Sequence, residues 1–250
     1  MRDPIVSLIM PTYNRADMID QTITSILRQT FPDFELIIID DGSTDVTLGK
    51  VLKFTDTRIR YELIEHGEDF GIGALNYGME RARGKYLSFV SSDNIYFSNY
   101  LKVLLEGLDD SEVDFIYGNF LNFQMEDSMI EEFSRPIHLD GQLELHHLAI
   151  GYTVGICFLY TRTLFDKVKP YRPGPHSDYD LVVRMAIAGA KFLRLDSLLG
   201  INVVHSGQLS ETSRKMDDEK EIRLMMCKYL KKIKYKGAGE LERRAISDWK

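Results

Sequence analysis

Short apolar runs alternate with helical patterns through residues 5–120 of this 250-residue chain. The runs that read as strands are Val6–Met10, Phe34–Ile39, Ile59–Glu65, Tyr86–Val90 and the start of a fifth at Asp114–Tyr117. The segments with apolar residues at helical spacing are Ala16–Gln29, Gly73–Arg83 and Ser98–Leu108. Continuous apolar strands that alternate with helices are typical of parallel sheets with right-handed crossovers. The sequence therefore predicts an α/β fold in which helices flank a mostly parallel central sheet.

Polar residues follow three of these strands at the point where each strand ends. Tyr13 follows the first strand, Asp40 and Asp41 follow the second, and Asp93 follows the fourth. Ligands of open α/β sheets bind outside the carboxyl ends of the strands. We therefore expect these turns to face a common crevice. An Asp at a strand end is also a frequent turn residue, which explains one carboxylate of the Asp40–Asp41 pair more easily than both.

The residue types at these strand ends suit a nucleotide. A carboxylate at the second strand end could accept the ring N–H of a uracil, and Tyr13, one strand over, could stack on the base. Taken alone, Tyr13 is explained better by core packing. The glycine-rich run 71–78 lacks the spacing of a dinucleotide fingerprint, and close packing of a helix on the sheet explains it better.

The alternation weakens after Asn119, so the second half is predicted to be more irregular. Its clearest elements are a strand at Gly155–Tyr160, a helix at Asp178–Ala188 and a strand over residues 192–204 that ends at His205. We predict one domain over residues 1–212, with a Rossmann-like nucleotide half at 1–120 and an acceptor half at 121–212. Residues 213–250 are predicted to form a C-terminal helical extension.

Two carboxylates open the predicted helix of the second half. Asp178 and Asp180 are two residues apart and cannot share a helical face. Arg184 lies four residues after Asp180 and could pair with it, which would leave Asp178 available for chemistry. An N-terminal cap or a partner of the helix dipole is the structural alternative for either residue.

The overall charge limits the classes of partner. A formal net charge of -7 argues against a protein that neutralises nucleic-acid phosphates, so no nucleic acid is expected. Residues 213–250 are basic, with 12 Lys and Arg against 7 Asp and Glu. A solvated helix face explains this pattern, and weak peripheral contact with an anionic membrane surface is the alternative.

The termini and cysteines indicate a cytoplasmic location. The chain enters its first predicted strand directly after Met1-Arg2-Asp3-Pro4, without the pattern of a secretory signal. Its two cysteines, Cys157 and Cys227, are too few for a disulfide framework. No apolar run approaches the roughly 20 residues of a membrane span.

The segments together resemble the family 2 glycosyltransferases of the GT-A fold. The resemblance covers residues 5–120 well and 150–210 loosely. It is carried by PTYNR at 11–15, TSILRQTFPDFELIIIDDGSTD at 24–45, NYGMERARGKYLSFVSSDN at 76–94, SDYDL at 177–181 with Arg184, and His205. The resemblance implies an enzyme that moves a sugar from a nucleotide-diphosphate sugar to an acceptor hydroxyl of a glycan.

The resemblance also implies roles for the residues of the nucleotide half. Pro11, Tyr13 and Asp41 would bind the nucleotide base. Asp93 would bind a divalent metal, Mn²⁺ or Mg²⁺, on the diphosphate. Ser92 occupies a nucleotide-binding position that the family usually fills with Asp, which weakens the metal site and changes contacts to the ribose.

In the second half, Asp178 matches the catalytic base of the family, and Ser177 replaces the Glu that usually precedes it. His205 matches a position that helps bind the metal in some members. The expected reaction is inverting and metal-dependent, with a UDP-sugar donor, in polysaccharide or glycan synthesis. A non-catalytic nucleotide-sugar-binding protein and a nucleotidyltransferase are the alternatives. The latter would normally carry a Gly-rich loop after the first strand, and residues 11–15 contain no Gly.

Overall fold

The fold is that of a computed structural model, which describes residues 2–109, 112–126, 129–133, 154–174, 177–206 and 231. The strands are β1 (Val6–Thr12), β2 (Phe34–Asp40), β3 (Ile59–Leu63), β4 (Tyr86–Phe89), β5 (Ile95–Tyr96), β6 (Phe115–Gln124), β7 (Met129–Phe133), β8 (Phe158–Thr161) and β9 (Phe192–Val204). The helices are α1 (Ile19–Leu27), α2 (Thr47–Val51), α3 (Ile72–Arg81), α4 (Tyr100–Asp109), α5 (Arg162–Val168) and α6 (Ser177–Ile187).

A single mixed sheet joins the nine strands of the described residues. Its order is β3-β2-β1-β4-β8-β6-β9-β5, and β7 pairs with β6. The strands β1 to β4 are mutually parallel. Because β8 is antiparallel to both β4 and β6, β6 runs in the direction of the first four strands, and β9 is parallel to β6. The predicted α/β fold with a mostly parallel sheet is confirmed, while β5, β7 and β8 run the opposite way.

Burial of both faces of the sheet explains the continuous apolar strands. Every residue of β2 is buried, and so is β1 apart from half-buried Pro11. Side chains alternate between faces, so Ile9, Ile37 and Ile39 belong to a core cluster with α3, while their neighbours Leu8 and Leu36 pack with α1 and α4 on the other face.

The glycine-rich run does hold a helix close to the sheet. Gly71, with φ +74°, precedes the first turn of α3. A Cβ on Gly78 would lie 2.5 Å from Ile9 Cγ2 and 3.1 Å from Ile39 Cγ1. Gly78 therefore lets α3 approach β1 and β2 more closely than any larger residue would allow, as the interpretation of close packing requires.

The predicted C-terminal extension at 213–250 lies outside the described residues apart from Lys231. Among the helices that the structure describes, none combines the length and apolar character needed to cross a bilayer.

Candidate active site

The carboxyl ends of four parallel strands lie at one edge of the sheet and carry the predicted site residues. Pro11 is paired with Ile39, and Tyr13 follows the next pair, Thr12 with Asp40. The amide of Asp41 donates to the carbonyl of Thr12 at 2.8 Å, so the turns after β1 and β2 leave the sheet side by side. Asp93 follows β4, and His205 follows β9. The sheet thus collects at one edge residues that are up to 194 positions apart in sequence.

The turn after β1 is fixed by hydrogen bonds to the turn after β2. Asn14 adopts φ 50°, a conformation that Asn tolerates better than most residues. Its side-chain oxygen accepts from the amide of Thr44 at 2.8 Å, and its own amide donates to Ser43 Oγ at 2.9 Å. The amide of Arg15 donates to Thr47 Oγ1 at 2.9 Å. These bonds set the positions of Tyr13 and Arg15 relative to the second strand end.

The two adjacent carboxylates after β2 have different surroundings. Asp40 Oδ1 accepts from the amide of Ser43 at 2.8 Å, and Asp40 Oδ2 accepts from the hydroxyl of Tyr61 at 2.8 Å. Asp40 is therefore the turn residue of the pair.

Asp41 instead faces the loop after β3. Its Oδ1 accepts from the amide of Gly67 at 3.2 Å, and its Oδ2 lies 2.9 Å from His66 Nδ1. The imidazole of His66 stacks on Tyr13, with ring centroids 4.2 Å apart and planes inclined by 12°. Burial raises the pKa of Asp41 above its usual range, and the hydrogen bonds from Gly67 and His66 oppose that rise only in part.

Tyr13 is 39% exposed, so core packing does not explain it.

Asp93 lies beside two cationic or potentially cationic side chains. Its Oδ2 is 3.3 Å from His205 Nε2 and 3.5 Å from Arg15 Nε. Its Oδ1 is buried and has no hydrogen-bond partner among the described residues. We call Asp93, His205 and Arg15 the Asp93 cluster. Arg15 also donates to the carbonyl of Tyr13 at 3.3 Å, so its side chain links this cluster to Tyr13 and Asp41.

Asn94 holds the β4 end against β9 and so positions His205. Its side-chain oxygen accepts from the amide of Val203 at 3.0 Å, and its carbonyl accepts from Thr22 Oγ1 at 2.7 Å. Asn94 is 1% exposed, and its neighbour Ser92 is also buried. The short β5 that follows pairs with β9, which reinforces the same connection.

The two carboxylates at the start of α6 also differ. Asp180 Oδ2 accepts from Arg184 Nε at 2.8 Å, and Arg184 in turn donates to the carbonyl of Pro170 at 2.9 Å. The predicted pairing of Asp180 with Arg184 is confirmed, and it anchors the loop after α5. Asp178 lies in the first turn of α6, where its Oδ1 accepts from the amide of Tyr179 at 2.8 Å. Ser177 is buried, and its hydroxyl donates to the carbonyl of Gly174.

The Asp93 cluster fits a divalent cation that shares its coordination with a ligand. A buried carboxylate oxygen without a partner is unfavourable unless a cation or donor completes it. Among the described residues, no group of three or more His, Cys, Asp or Glu forms a metal cage. Mg²⁺ is commonly held by one or two carboxylates together with substrate phosphates, and Asp93 with His205 suits that arrangement.

Two residues of this site received no role from sequence reasoning. Arg15 lies within the quoted motif at 11–15. A basic residue directly after a strand end, at the edge where a metal-binding carboxylate is predicted, is a pattern that could have identified it. His66 gave no such signal, because only the folded β3 loop brings it to Tyr13 and Asp41.

The comparisons with known proteins agree with this geometry. The family described as Glycosyl transferase family 2 matches residues 7–169, which is more than half of the chain. The chain belongs to glycosyl transferase family 2. The match confirms the family predicted from the motifs, and it places this family 2 member among enzymes of glycosyl transfer rather than among nucleotidyltransferases.

Two relatives show how far the family 2 similarity extends. The UDP-Glc:alpha-D-GlcNAc-diphosphoundecaprenol beta-1,3-glucosyltransferase WfgD of Escherichia coli is 34% identical over 151 residues, which are 60% of this chain and 59% of that protein. An uncharacterized glycosyltransferase of Rickettsia typhi is 32% identical over 249 residues, which are 92% of this chain and 73% of that protein.

Solved structures share the fold of this family 2 chain. TarS (residues 1–349) of S. aureus in complex with UDP-GlcNAc matches with a TM-score of 0.73 and 20% identity over 89% of this chain and 65% of that one. The mannosyltransferase PcManGT from Pyrobaculum calidifontis in complex with GDP-Man and Mn²⁺ matches with a TM-score of 0.63 and 19% identity over 85% and 60%. The chain thus spans less than two thirds of WfgD and of these two solved chains.

Proposed function

We propose that this family 2 glycosyltransferase moves a sugar from a UDP-linked donor to a hydroxyl of a glycan acceptor, with a divalent metal and with inversion at the anomeric carbon. The observation that supports it most is the buried Oδ1 of Asp93, which has no hydrogen-bond partner among the described residues and lies at the sheet edge that also carries Asp41 and Tyr13. A nucleotide diphosphate presents a base and two phosphates, and this edge offers a stacking ring, an acceptor carboxylate and a cation site for them.

The donor base is assigned to the turns after β1 and β2. Asp41 would accept the ring N–H of the base, Tyr13 would stack on it, and Pro11 would line the same turn. Ser92 would face the ribose. Uracil is proposed because WfgD is named for UDP-Glc and TarS forms a complex with UDP-GlcNAc. Guanine also carries a ring N–H, and PcManGT forms a complex with GDP-Man, so guanine is the base to test against it.

Asp93, with His205 beside it, would hold Mn²⁺ or Mg²⁺ on the diphosphate. When bound, such an ion neutralises charge on the leaving diphosphate. Arg15 lies next to Asp93 Oδ2 and adds a fixed positive charge at the same place. With few protein ligands, metal affinity would depend on the phosphates of the donor.

Asp178 is assigned as the general base. The acceptor hydroxyl forms the new bond to the anomeric carbon while the bond from that carbon to the phosphate oxygen breaks. The hydroxyl proton passes to the Asp178 carboxylate, and UDP leaves. A single displacement of this kind inverts the anomeric carbon. Asp180 is occupied by Arg184, so it is the less suitable base.

The proposal also assigns the donor and the acceptor to different halves of the chain. The donor would bind to residues 1–120 and the acceptor to 121–212, in polysaccharide or glycan synthesis. The cytoplasmic location stays a prediction. Weak membrane contact through the basic residues of 213–250 also stays a prediction, since that segment lies outside the described residues apart from Lys231.

A ligand screen followed by a turnover assay tests this function. UDP, GDP, UDP-glucose and UDP-N-acetylglucosamine are added with and without Mn²⁺, and thermal unfolding is recorded. A ligand at 100 times its Kd stabilises the folded state by about 2.7 kcal/mol. We expect the uridine ligands to give the larger shifts, mainly with Mn²⁺, and release of UDP from the stabilising sugar nucleotide. Binding without release of UDP would favour a non-catalytic binding protein, and absence of any shift would contradict the donor assignment.

A further inference from the structure

His66 contacts both residues that are assigned to the donor base. Its Nδ1 lies 2.9 Å from Asp41 Oδ2 and 2.9 Å from the carbonyl oxygen of Asp41. Both of these atoms are acceptors when the carboxylate is ionised, so Nδ1 carries the proton and donates. The same ring stacks on Tyr13 at a centroid distance of 4.2 Å. His66 thus makes the two contacts that the base would need.

The match between imidazole and base is chemical as well as spatial. Uracil and guanine each present a planar ring with one ring N–H, as His66 does with Nδ1–H. Asp41 Oδ1 is already occupied by the amide of Gly67 at 3.2 Å. The oxygen that a base N–H would use is therefore Oδ2, which His66 contacts in this structure.

The turn after β2 is shaped to receive His66. Gly42 adopts φ +74°, which favours glycine, and a Cβ there would lie 3.0 Å from both the Cβ and the backbone nitrogen of His66. The close approach of the two loops therefore depends on the absence of a side chain at Gly42. The side chain of His66 is 42% exposed, so it can turn outward into solvent without disturbing the core.

We propose that the His66 side chain stands in for the donor base and that base binding displaces it from Asp41 and Tyr13. The proposal rests on the assignment of Asp41 and Tyr13 to the base. It makes His66 a residue that sets donor affinity and base choice. A base with a ring N–H replaces the hydrogen bond that Asp41 loses with a donor of the same kind. Adenine and cytosine present only an exocyclic amino donor, so they are expected to displace His66 less readily. The apparent donor affinity is lowered by the fraction of molecules in which His66 occupies the site.

Substitution of His66 separates this role from that of a direct base contact. In His66→Ala both the hydrogen bond and the stacking ring are absent, so nothing competes with the base. In His66→Phe the ring remains but cannot donate to Asp41. Glu68→Ala is the matched control, because Glu68 is an exposed residue of the same loop. Calorimetric titration with UDP and with GDP in the presence of Mn²⁺ gives Kd for each protein, and thermal unfolding confirms that each is folded.

We expect His66→Ala to bind its better nucleotide about tenfold more tightly than the wild type, since a charge-assisted hydrogen bond no longer has to be broken. His66→Phe should lie between the two, and Glu68→Ala should match the wild type. Equal or weaker binding by a folded His66→Ala would overturn the proposal, and if that variant does not fold, equal or weaker binding by His66→Phe would do so.

A second readout on the wild-type protein does not depend on variants. In ¹⁵N-histidine NMR spectra, the Nδ1–H signal of His66 should move on addition of UDP or GDP, and it should stay in place with ADP. A signal that is unchanged at saturating UDP or GDP would show that the ring keeps its place, which overturns the proposal. Failure of the wild type to bind either nucleotide would instead overturn the donor assignment itself, and displacement with it.

Discussion

At the scale of single residues, the neighbours of each carboxylate decide what it can do. Two of the predicted site residues, Asp41 and Asp178, each lie beside a second Asp that is engaged in the fold. Asp40 holds the turn after β2 through Ser43 and Tyr61. Asp180 holds the loop after α5 through Arg184. Asp41 and Asp178 are the members that the proposed chemistry uses.

The Asp178 assignment is tested by two amide substitutions. Asp178→Asn keeps the shape and removes the basicity, so kcat should fall by about 10²–10⁴-fold while donor binding stays near that of the wild type. Asp180→Asn should act mainly on stability, because it weakens a buried pair with Arg184. Kinetics with UDP-sugar and acceptor, next to thermal unfolding of each variant, separate the two effects. Near wild-type turnover by Asp178→Asn would mean that the base lies elsewhere.

The Asp93 assignment makes a separate prediction about metal binding. Mn²⁺ should bind the wild-type protein weakly alone and much more tightly with UDP, since the phosphates supply most of the oxygen ligands. Asp93→Ala should lose that coupling, and His205→Ala should reduce it. Calorimetric titration of Mn²⁺ with and without UDP measures this. Full activity in excess chelator would speak against any metal in the reaction.

Some of these residue-level contacts were predictable from the sequence and others were not. The pair Asp180 and Arg184 follows from helical spacing alone, because residues four apart are neighbours on a helix. The contact of His66 with Asp41 joins two loops, and its existence depends on the backbone of Gly42 and on the path of the β3 loop. Neither can be read from a local pattern.

At the scale of elements, the parallel strands bring the site residues together at one edge of the sheet. The strands β1, β2 and β4 could be predicted because they are buried almost throughout and their apolar runs are nearly continuous. The parallel pairing of β9 with β6, which brings His205 to Asp93, could not. It joins distant segments and contains register shifts around Asn119.

The packing of α3 on the sheet gives a prediction for this element. In Gly78→Ala the new Cβ would meet Ile9 Cγ2 at 2.5 Å inside a buried cluster, so α3 or β1 must shift. We expect a loss of about 1–3 kcal/mol in the free energy of unfolding. The matched control is Gly49→Ala in α2, where no neighbouring atom of the described residues lies within 4 Å of the new Cβ.

Because alanine is the better helix former, the control should gain up to about 1 kcal/mol. Chemical denaturation measures both variants. If Gly78→Ala is as stable as the wild type, α3 does not lie as close to β1 as described.

At the scale of the whole molecule, the two ends of β2 differ in role. The amino end stabilises the fold, and the carboxyl end carries the proposed base site. Glu35, near the amino end, accepts from Ser7 Oγ at 2.7 Å, from Arg83 Nη2 at 2.8 Å and from Arg60 Nη1 at 3.1 Å. It thereby ties β2 to β1, to β3 and to the loop that precedes β4. Burial alone would raise the pKa of Glu35, but these hydrogen bonds hold it below the usual value. At the other end, burial raises the pKa of Asp41.

Opposite pKa shifts have opposite consequences for stability. A lowered pKa means that Glu35 stabilises the fold above the pKa of the unfolded chain, and that this contribution is lost as the pH falls through the folded value. A raised pKa means that ionisation of Asp41 opposes folding once the pH rises through its folded value. The ionised carboxylate of Asp41 therefore lowers the stability of the fold, as is expected of a residue that binds a ligand.

Paired variants at the two ends of β2 test this division. Glu35→Gln should lower the free energy of unfolding near neutral pH by about 1.5–3 kcal/mol, the range for hydrogen bonds to a charged group, and the difference from the wild type should shrink as the medium becomes acidic. Asp41→Asn should be as stable as the wild type or more stable near neutral pH, yet it should bind UDP more weakly. Urea denaturation across the acid range and calorimetry with UDP give both quantities. A destabilised Asp41→Asn with unchanged UDP affinity would assign Asp41 to the fold and remove it from the base site.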